Sequence, residues 1–184
     1  MTRLAVALLA IALPLSAMAE RLRVDVLIFL NPLSADEQGT APRHPDDERA
    51  IDLDDAPGLA YAGIALLPDN ASTLAAEWAT LSASKRYKPL LRLSWVQESP
   101  SSANGPALRL ELPGGDRLSS LSGWLRLQGG RNISLSADLE SVQPGSARQP
   151  LGLRLQERRT LGLDTLHYLD SPRIGVLARV TAAR

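Results

Sequence analysis

Cysteine is absent from this 184-residue chain, which excludes disulfide frameworks, thiol redox chemistry and thiolate metal sites. Histidine is nearly absent: His44 and His167 stand alone, without H-E-x-x-H or paired spacing. The acidic "DLDD" lacks the Gly and closing Glu of a calcium loop, so no metal and no other cofactor is indicated. There is no G-x-S-x-G nucleophile elbow, and His167 and Asp170, three residues apart at a strand end, do not make a Ser-His-Asp set. The expectation is therefore a protein that is not an enzyme. Aromatic residues make up only 4% of the chain, which leaves Leu, Val, Ile and Ala to build the core. Lysine occurs only at 85 and 88 among 20 basic residues, a base-composition bias rather than a functional choice. An excess of one charge is missing too: 20 basic residues balance 20 acidic ones, so no steering toward nucleic acid is expected.

What is present begins with "MTRLAVALLAIALPLSAMAE". Arg3, an apolar run from Leu4 to Leu15 and the A-x-A site Ala17-Met18-Ala19 have the form of a cleaved signal peptide, residues 1–19. A spanning helix needs about 20 apolar residues, and Pro14 cuts this run short. With no cysteine after the run, lipoprotein processing is excluded. The expected product is an exported, periplasmic domain of residues 20–184 with no membrane span, large enough to hold together by its core alone. It carries 19 basic and 20 acidic side chains, a formal charge of −1. The charge is uneven: residues 20–100 hold 8 basic and 13 acidic groups, residues 101–184 hold 11 and 7. Much of the acid falls at about 34–58, where prolines, glycines and little apolar surface predict an exposed loop.

Beyond Glu20 the dominant period is two. "RLRVDVLIF" sets Leu22, Val24, Val26 and Ile28 on one face, and Leu27 with Phe29 implies that its far end is covered on both sides. "LLRLSWVQ", "ALRLEL", "LSGWLRLQ", "NISLSADL", "LGLRLQ" and "IGVLARV" repeat the pattern, and Gly129-Gly130 between two of them marks a hairpin. Only "STLAAEWATLSASKRY" breaks the period. Leu74, Trp78 and Leu81 recur at helical spacing behind a Ser72 or Thr73 cap, with Lys85 and Arg86 at the end facing the helix dipole. These elements predict an α+β, mainly β fold: an antiparallel meander or partly closed barrel of about six or seven strands with one packed helix. The strands are too short, and aromatic girdles too sparse, for an outer-membrane barrel. Trp95 on an apolar strand face and Trp78 on the helix belong to the core. Trp124 falls out of phase with Leu121, Leu125 and Leu127, so it points to the opposite face, exposed or covered by the helix.

The richest polar cluster is "RRTLGLDTLHYLDSPRIGVLARV", residues 158–180. Physically, "YLDSP" is a turn former, with Asp170 accepting backbone N–H groups in an Asx turn and Pro172 presetting the next angle. His167 and Tyr168 then end one strand, "RIGVLARV" returns beside it, and Arg158 or Arg159 has a carboxylate to pair with. Several ordered pieces resemble the CsiV family of periplasmic peptidoglycan-binding proteins. "RVDVLIFLN" is similar to the opening strand of that family, which usually has Glu where Asp25 stands. Tyr87, Pro89, Leu90, Trp95 and Gln97 match its middle segment, and Gly123, Arg131, Asp138 and Leu139 its Leu-x-Gly hairpin. The most specific piece is C-terminal: Arg158, Arg159, Leu166, His167, Tyr168, Leu169, Asp170, Pro172, Gly175, Val176 and Leu177 match. Ser171 replaces a His, Asn132 and Ser134 replace an aromatic and a His, and the spacer after Arg159 is one residue longer, so roles tied to those rings do not carry over.

The resemblance implies a non-enzymatic, peptidoglycan-binding accessory of cell-wall synthesis, partnered by a lipoprotein activator of a class A penicillin-binding protein. Glycan and stem-peptide recognition needs an apolar stacking face beside polar groups, which makes Trp124, Arg158, Arg159, His167, Tyr168 and Asp170 the candidate ligand-binding residues. The other reading is a periplasmic protein–protein interaction module that uses a β-edge or the acidic loop and has no affinity for glycan.

Overall fold

The computed structural model describes residues 21–32, 41–100, 105–114, 120–129, 132–143 and 151–183. The expected signal peptide, residues 34–40 of the acidic loop, Gly130 and Arg131 lie outside them. The order of elements is β1 (Arg21–Leu30), β2 (Ala50–Asp52), α1 (Ala56–Tyr61), β3 (Ala65–Leu67), α2 (Ala75–Ala83), β4 (Lys88–Glu98), β5 (Ala107–Leu112), β6 (Ser120–Gln128), β7 (Ser134–Gln143), β8 (Leu151–Thr160), β9 (Leu166–Asp170) and β10 (Ile174–Ala182). The fold is mainly β, as the period-two pattern predicts. The strands form two five-stranded sheets, β3-β4-β1-β10-β9 and β2-β5-β6-β7-β8. Among the described residues a meander runs through β5 to β8, and no barrel closes. Three strands went unmarked by alternation: β2 and β3 have three residues each, too few to show a period, and β9 has five. Among the described residues no helix is long and apolar enough to cross a membrane.

Alternation along β1 explains how the sheets stack. Leu22, Val24, Val26, Ile28 and Leu30 are fully buried in one cluster with Leu108, Leu110, Leu125, Leu135 and Leu155 of the other sheet. At about 1.5–3 kcal/mol per fully buried aliphatic side chain, this inter-sheet layer is the main source of stability. Gly123 lies in it between Leu110 and Leu139. Its φ of +139° and the carbonyl of Asp138, 2.1 Å from where a Cβ would stand, admit only glycine there.

The opposite face of β1 carries Asp25, Leu27 and Phe29, and α2 closes over it through a second cluster of Leu27, Phe29, Leu74 and Leu81, with Trp78 and Tyr87 partly buried against it. The sequence therefore placed the helix correctly but misjudged its ends. No side chain caps α2; instead Thr73 gives its N–H and hydroxyl to Asp25, at 3.2 and 2.9 Å. The helix stops at Ser84, whose hydroxyl accepts from the N–H groups of Arg86 and Tyr87. Lys85 and Arg86 therefore lie beyond its last turn.

The acidic segment is another departure. From residue 41 onward most of its side chains are exposed, but the segment is tethered to the second sheet rather than free of it. Asp46 pairs with Arg109, Asp47 with Arg126, and Asp52 with Arg109 at 3.0 Å. The N–H of Arg43 donates to both oxygens of the buried Glu140 at 2.9 Å. Ion pairs and β-bridging of Ala50–Asp52 to β5 supply the ordering free energy that its apolar content could not.

Candidate functional site

Two of the segments that carry the family resemblance meet at one end of the helix-bearing face. A register shift between Ile28 and Phe29 skips Leu90 on β4, beside Pro89, which has no N–H to give the ladder. Just before it, Tyr87 sets its ring edge-on to Phe29, with centroids 5.6 Å apart and planes at 87°. From β9, Tyr168 lies nearly parallel to the same Phe29 ring, 6.2 Å away at 10°. Phe29 faces Gly175 across the β1–β10 ladder, and a Cβ at Gly175 would lie 2.5 Å from the tip of the ring. The missing side chain is what lets Phe29 lie where Tyr168 can stack on it. With one Phe, three Tyr and three Trp in the chain, three of seven aromatics gather here.

Tyr87 and Tyr168 wall a cavity of about 300 Å³ whose other sides come from Asn31 and Pro32 after β1, Arg86 ahead of β4, and Asp170, Ser171 and Pro172 at the β9–β10 turn. Arg86 is exposed, its guanidinium 5.7 Å from the Tyr87 ring centre. Asn31 is tied down by three bonds: its N–H reaches Arg173 O at 2.7 Å, its amide Nδ2 reaches Ser171 O at 3.1 Å, and its carbonyl accepts from Arg173. Its Oδ1 is buried and has no hydrogen-bond partner. Tyr168 is 40% exposed. Its phenol is pushed above the usual tyrosine range, first by burial of the ring and then by Asp170, Tyr87 and Glu157, while the Asn31 side chain pulls the other way. It stays a neutral donor at physiological pH.

The predicted turn is present, but Ser171 and not Asp170 organises it. The Ser171 hydroxyl accepts from Ile174 N–H at 3.0 Å and its own N–H donates to Ile174 O at 2.9 Å, whereas the backbone N–H of Asp170 donates to Glu157 Oε2 at 3.1 Å. The Asp170 carboxylate is left facing the cavity. His167 lies on the other face of β9, being an odd number of residues away, and its Nε2 sits 2.9 Å from Gly162 N, closing the Leu161–Thr165 turn. Arg159 pairs with Glu157 and so stands behind the cavity rather than in it.

Trp124 and Arg158 lie elsewhere, on the outer face of the second sheet. Trp124 points away from the core as its phase predicts; it is half-buried, and Arg126 lies 5.0 Å over its ring. Arg158 donates from Nε to Ser134 Oγ at 3.0 Å. The neighbouring Arg154 clasps Asp138, with Nε at 2.7 Å from Oδ1. A larger cavity, about 660 Å³, opens on this sheet between Asp52, Leu53, Asp54, Arg109 and Glu111, but no ring lines it and Arg109 is already held by Asp46 and Asp52. The structure thus brings Tyr168 and Asp170 together, ties Arg159 to Glu157 and His167 to Gly162 outside the cavity, and sets Trp124 and Arg158 apart. Phe29, Asn31, Arg86 and Tyr87 were not among the ligand-binding residues expected from the sequence. The scarcity of aromatics was the available signal, since few rings leave few ways to build a stacking wall.

A family model described as "Peptidoglycan-binding protein, CsiV" matches residues 3–183. No curated protein and no solved structure matches the chain.

Proposed function

Since this chain belongs to the CsiV family of peptidoglycan-binding proteins, we propose that it binds peptidoglycan through the aromatic groove at Tyr87 and Tyr168, as an exported, periplasmic, non-enzymatic accessory of wall synthesis. The observation that carries the location is the convergence of Tyr87, Tyr168 and Asp170 on one cavity. These come from two of the segments that carry the family resemblance. An exposed ring backed by a second ring, with a cation, a carboxylate and an amide at its rim, suits saccharide or peptide ligands. Arg158 and Trp124 contribute less in this reading, because their polar and π faces are engaged by Ser134 and Arg126.

A protein partner, such as a lipoprotein activator of a class A penicillin-binding protein, has its own support. Edge strand β9 and the turn before it expose Leu163 at 43% and Leu166 at 40%. The acidic segment is a poorer docking surface, since Asp46, Asp47 and Asp52 are spent on internal arginines.

The test is co-sedimentation of purified protein with peptidoglycan sacculi across a salt series. Wild type should pellet at all salts, Tyr168→Ala should lose roughly tenfold in affinity, equivalent to about 1.4 kcal/mol, and Trp124→Ala should pellet as wild type. Absence of pelleting together with capture of a protein partner would move the function to the edge strand.

A further inference from the structure

The groove is selective in what it leaves unsatisfied. Asn31 donates through Nδ2, and its Oδ1 is buried, closed off from the groove. The rim acceptor, the Asp170 carboxylate, makes none of the turn's hydrogen bonds. Among the described lining residues the cation is Arg86, while Arg173 is bound to the Asn31 carbonyl beside the groove. A ligand that fits must therefore offer N–H or O–H groups and an apolar face for Tyr168. A stem peptide offers N–H groups too, but its carboxylates are repelled by Asp170, whereas a neutral sugar ring brings no like charge there. The volume of about 300 Å³ lies at the lower bound of ligand pockets, about 300–1,000 Å³, room for a single sugar ring with its substituents.

We propose that the groove recognises the glycan strand of peptidoglycan, one N-acetylhexosamine unit at a time, and not the stem peptide. The C–H face of the sugar stacks on Tyr168, which Phe29 braces from behind. A ring hydroxyl meets Asp170, Arg86 donates to the acetyl carbonyl, and Asn31, whose Oδ1 is closed off from the groove, holds through Nδ2 the turn that follows Asp170. This inference rests on the peptidoglycan reading above and adds the part of the polymer that is read.

The experiment uses intact sacculi, glycan strands stripped of stem peptide by an amidase, a trimer of N-acetylglucosamine and a free stem tetrapeptide. Each is tested with wild type, Tyr168→Ala, Tyr168→Phe, Asn31→Leu and Arg86→Ala. Binding to stripped strands and to the trimer is expected, weakened about tenfold by Tyr168→Ala and several-fold by Asn31→Leu and by the exposed Arg86→Ala. Tyr168→Phe, which keeps the ring, should stay within about twofold. Near-ultraviolet circular dichroism of each variant reports that the fold is retained. Pelleting with intact sacculi but not stripped strands, together with binding of the tetrapeptide, would overturn the inference and leave peptidoglycan binding standing. Trimer binding that survives Tyr168→Ala and Arg86→Ala would place the sugar elsewhere and also overturn it. Pelleting with neither form of the polymer would remove both readings.

Discussion

Asp25 shows how one residue joins two elements. It is fully buried on the helix-bearing face of β1, yet stays charged. Burial alone raises its pKa, but bonds from Arg23, Ser94 and Thr73 outweigh that cost and hold it below its ordinary 3.8. Arg179 lies beside it on β10 and is turned to Thr73 O and Glu77. Because the folded pKa is depressed, this stability is complete above the unfolded carboxylate pKa and is lost as pH falls through the folded value. Asp25→Asn should cost about 2–4 kcal/mol at neutral pH, and the gap in melting temperature to wild type should narrow below about pH 4. A gap that stayed constant down to pH 2 would show that the carboxylate charge is not what matters. At the groove, Gly175→Ala drives a methyl into the Phe29 ring. An overpacking loss of about 1–3 kcal/mol is expected, with displaced Tyr168 and weaker wall binding; unchanged binding in the folded variant would separate Phe29 from the site.

At the scale of elements, α2 is held by its face and not by its ends. It lacks a side-chain cap and a basic last turn, and its grip is Leu74 and Leu81 on Leu27 and Phe29. Leu74→Ala removes a completely buried side chain and should cost about 2–5 kcal/mol. Since Phe29 and Tyr87 share that cluster, chemical denaturation and sacculus pelleting should both register the change. Full pelleting by a clearly destabilised but folded variant would mean that the groove is braced independently of the helix. The strap from Arg43 to Asp52 behaves differently, being fastened mainly by ion pairs at partly exposed positions. Such pairs contribute about 0–1 kcal/mol each, so Arg126→Ala should barely lower global stability while local opening increases. Trypsin cleavage at Arg43 and Arg49 should accelerate several-fold; an unchanged cleavage rate would show that Asp47 and Arg126 do not fasten the strap.

Across the whole molecule, two sheets share one aliphatic core while their outer faces differ. One carries a helix and a ring-walled groove; the other carries paired arginines under an acidic strap. The long strands were legible residue by residue because a half-buried strand must alternate, and the outward turn of Trp124 followed from the same phase. So did the double covering of Leu27 and Phe29. Strands β2 and β3 were not legible, since three residues acquire strand character only from a neighbour that offers a free edge. The tethering of the acidic segment was not legible for a related reason: its composition predicts an exposed loop, and only the arginines that β5 and β6 present fasten it to the sheet. The motif "LHYLDSP" announced a turn with a tyrosine, which local chemistry decides. That His167 turns away to Gly162, that Ser171 makes the turn's bonds, and that Tyr87, from 81 residues earlier in the chain, completes the wall were settled by strand pairing. Alternation and turn propensity act over a few residues and are written in the sequence. The groove depends on which strands lie side by side, and that is decided only when the core they share is packed.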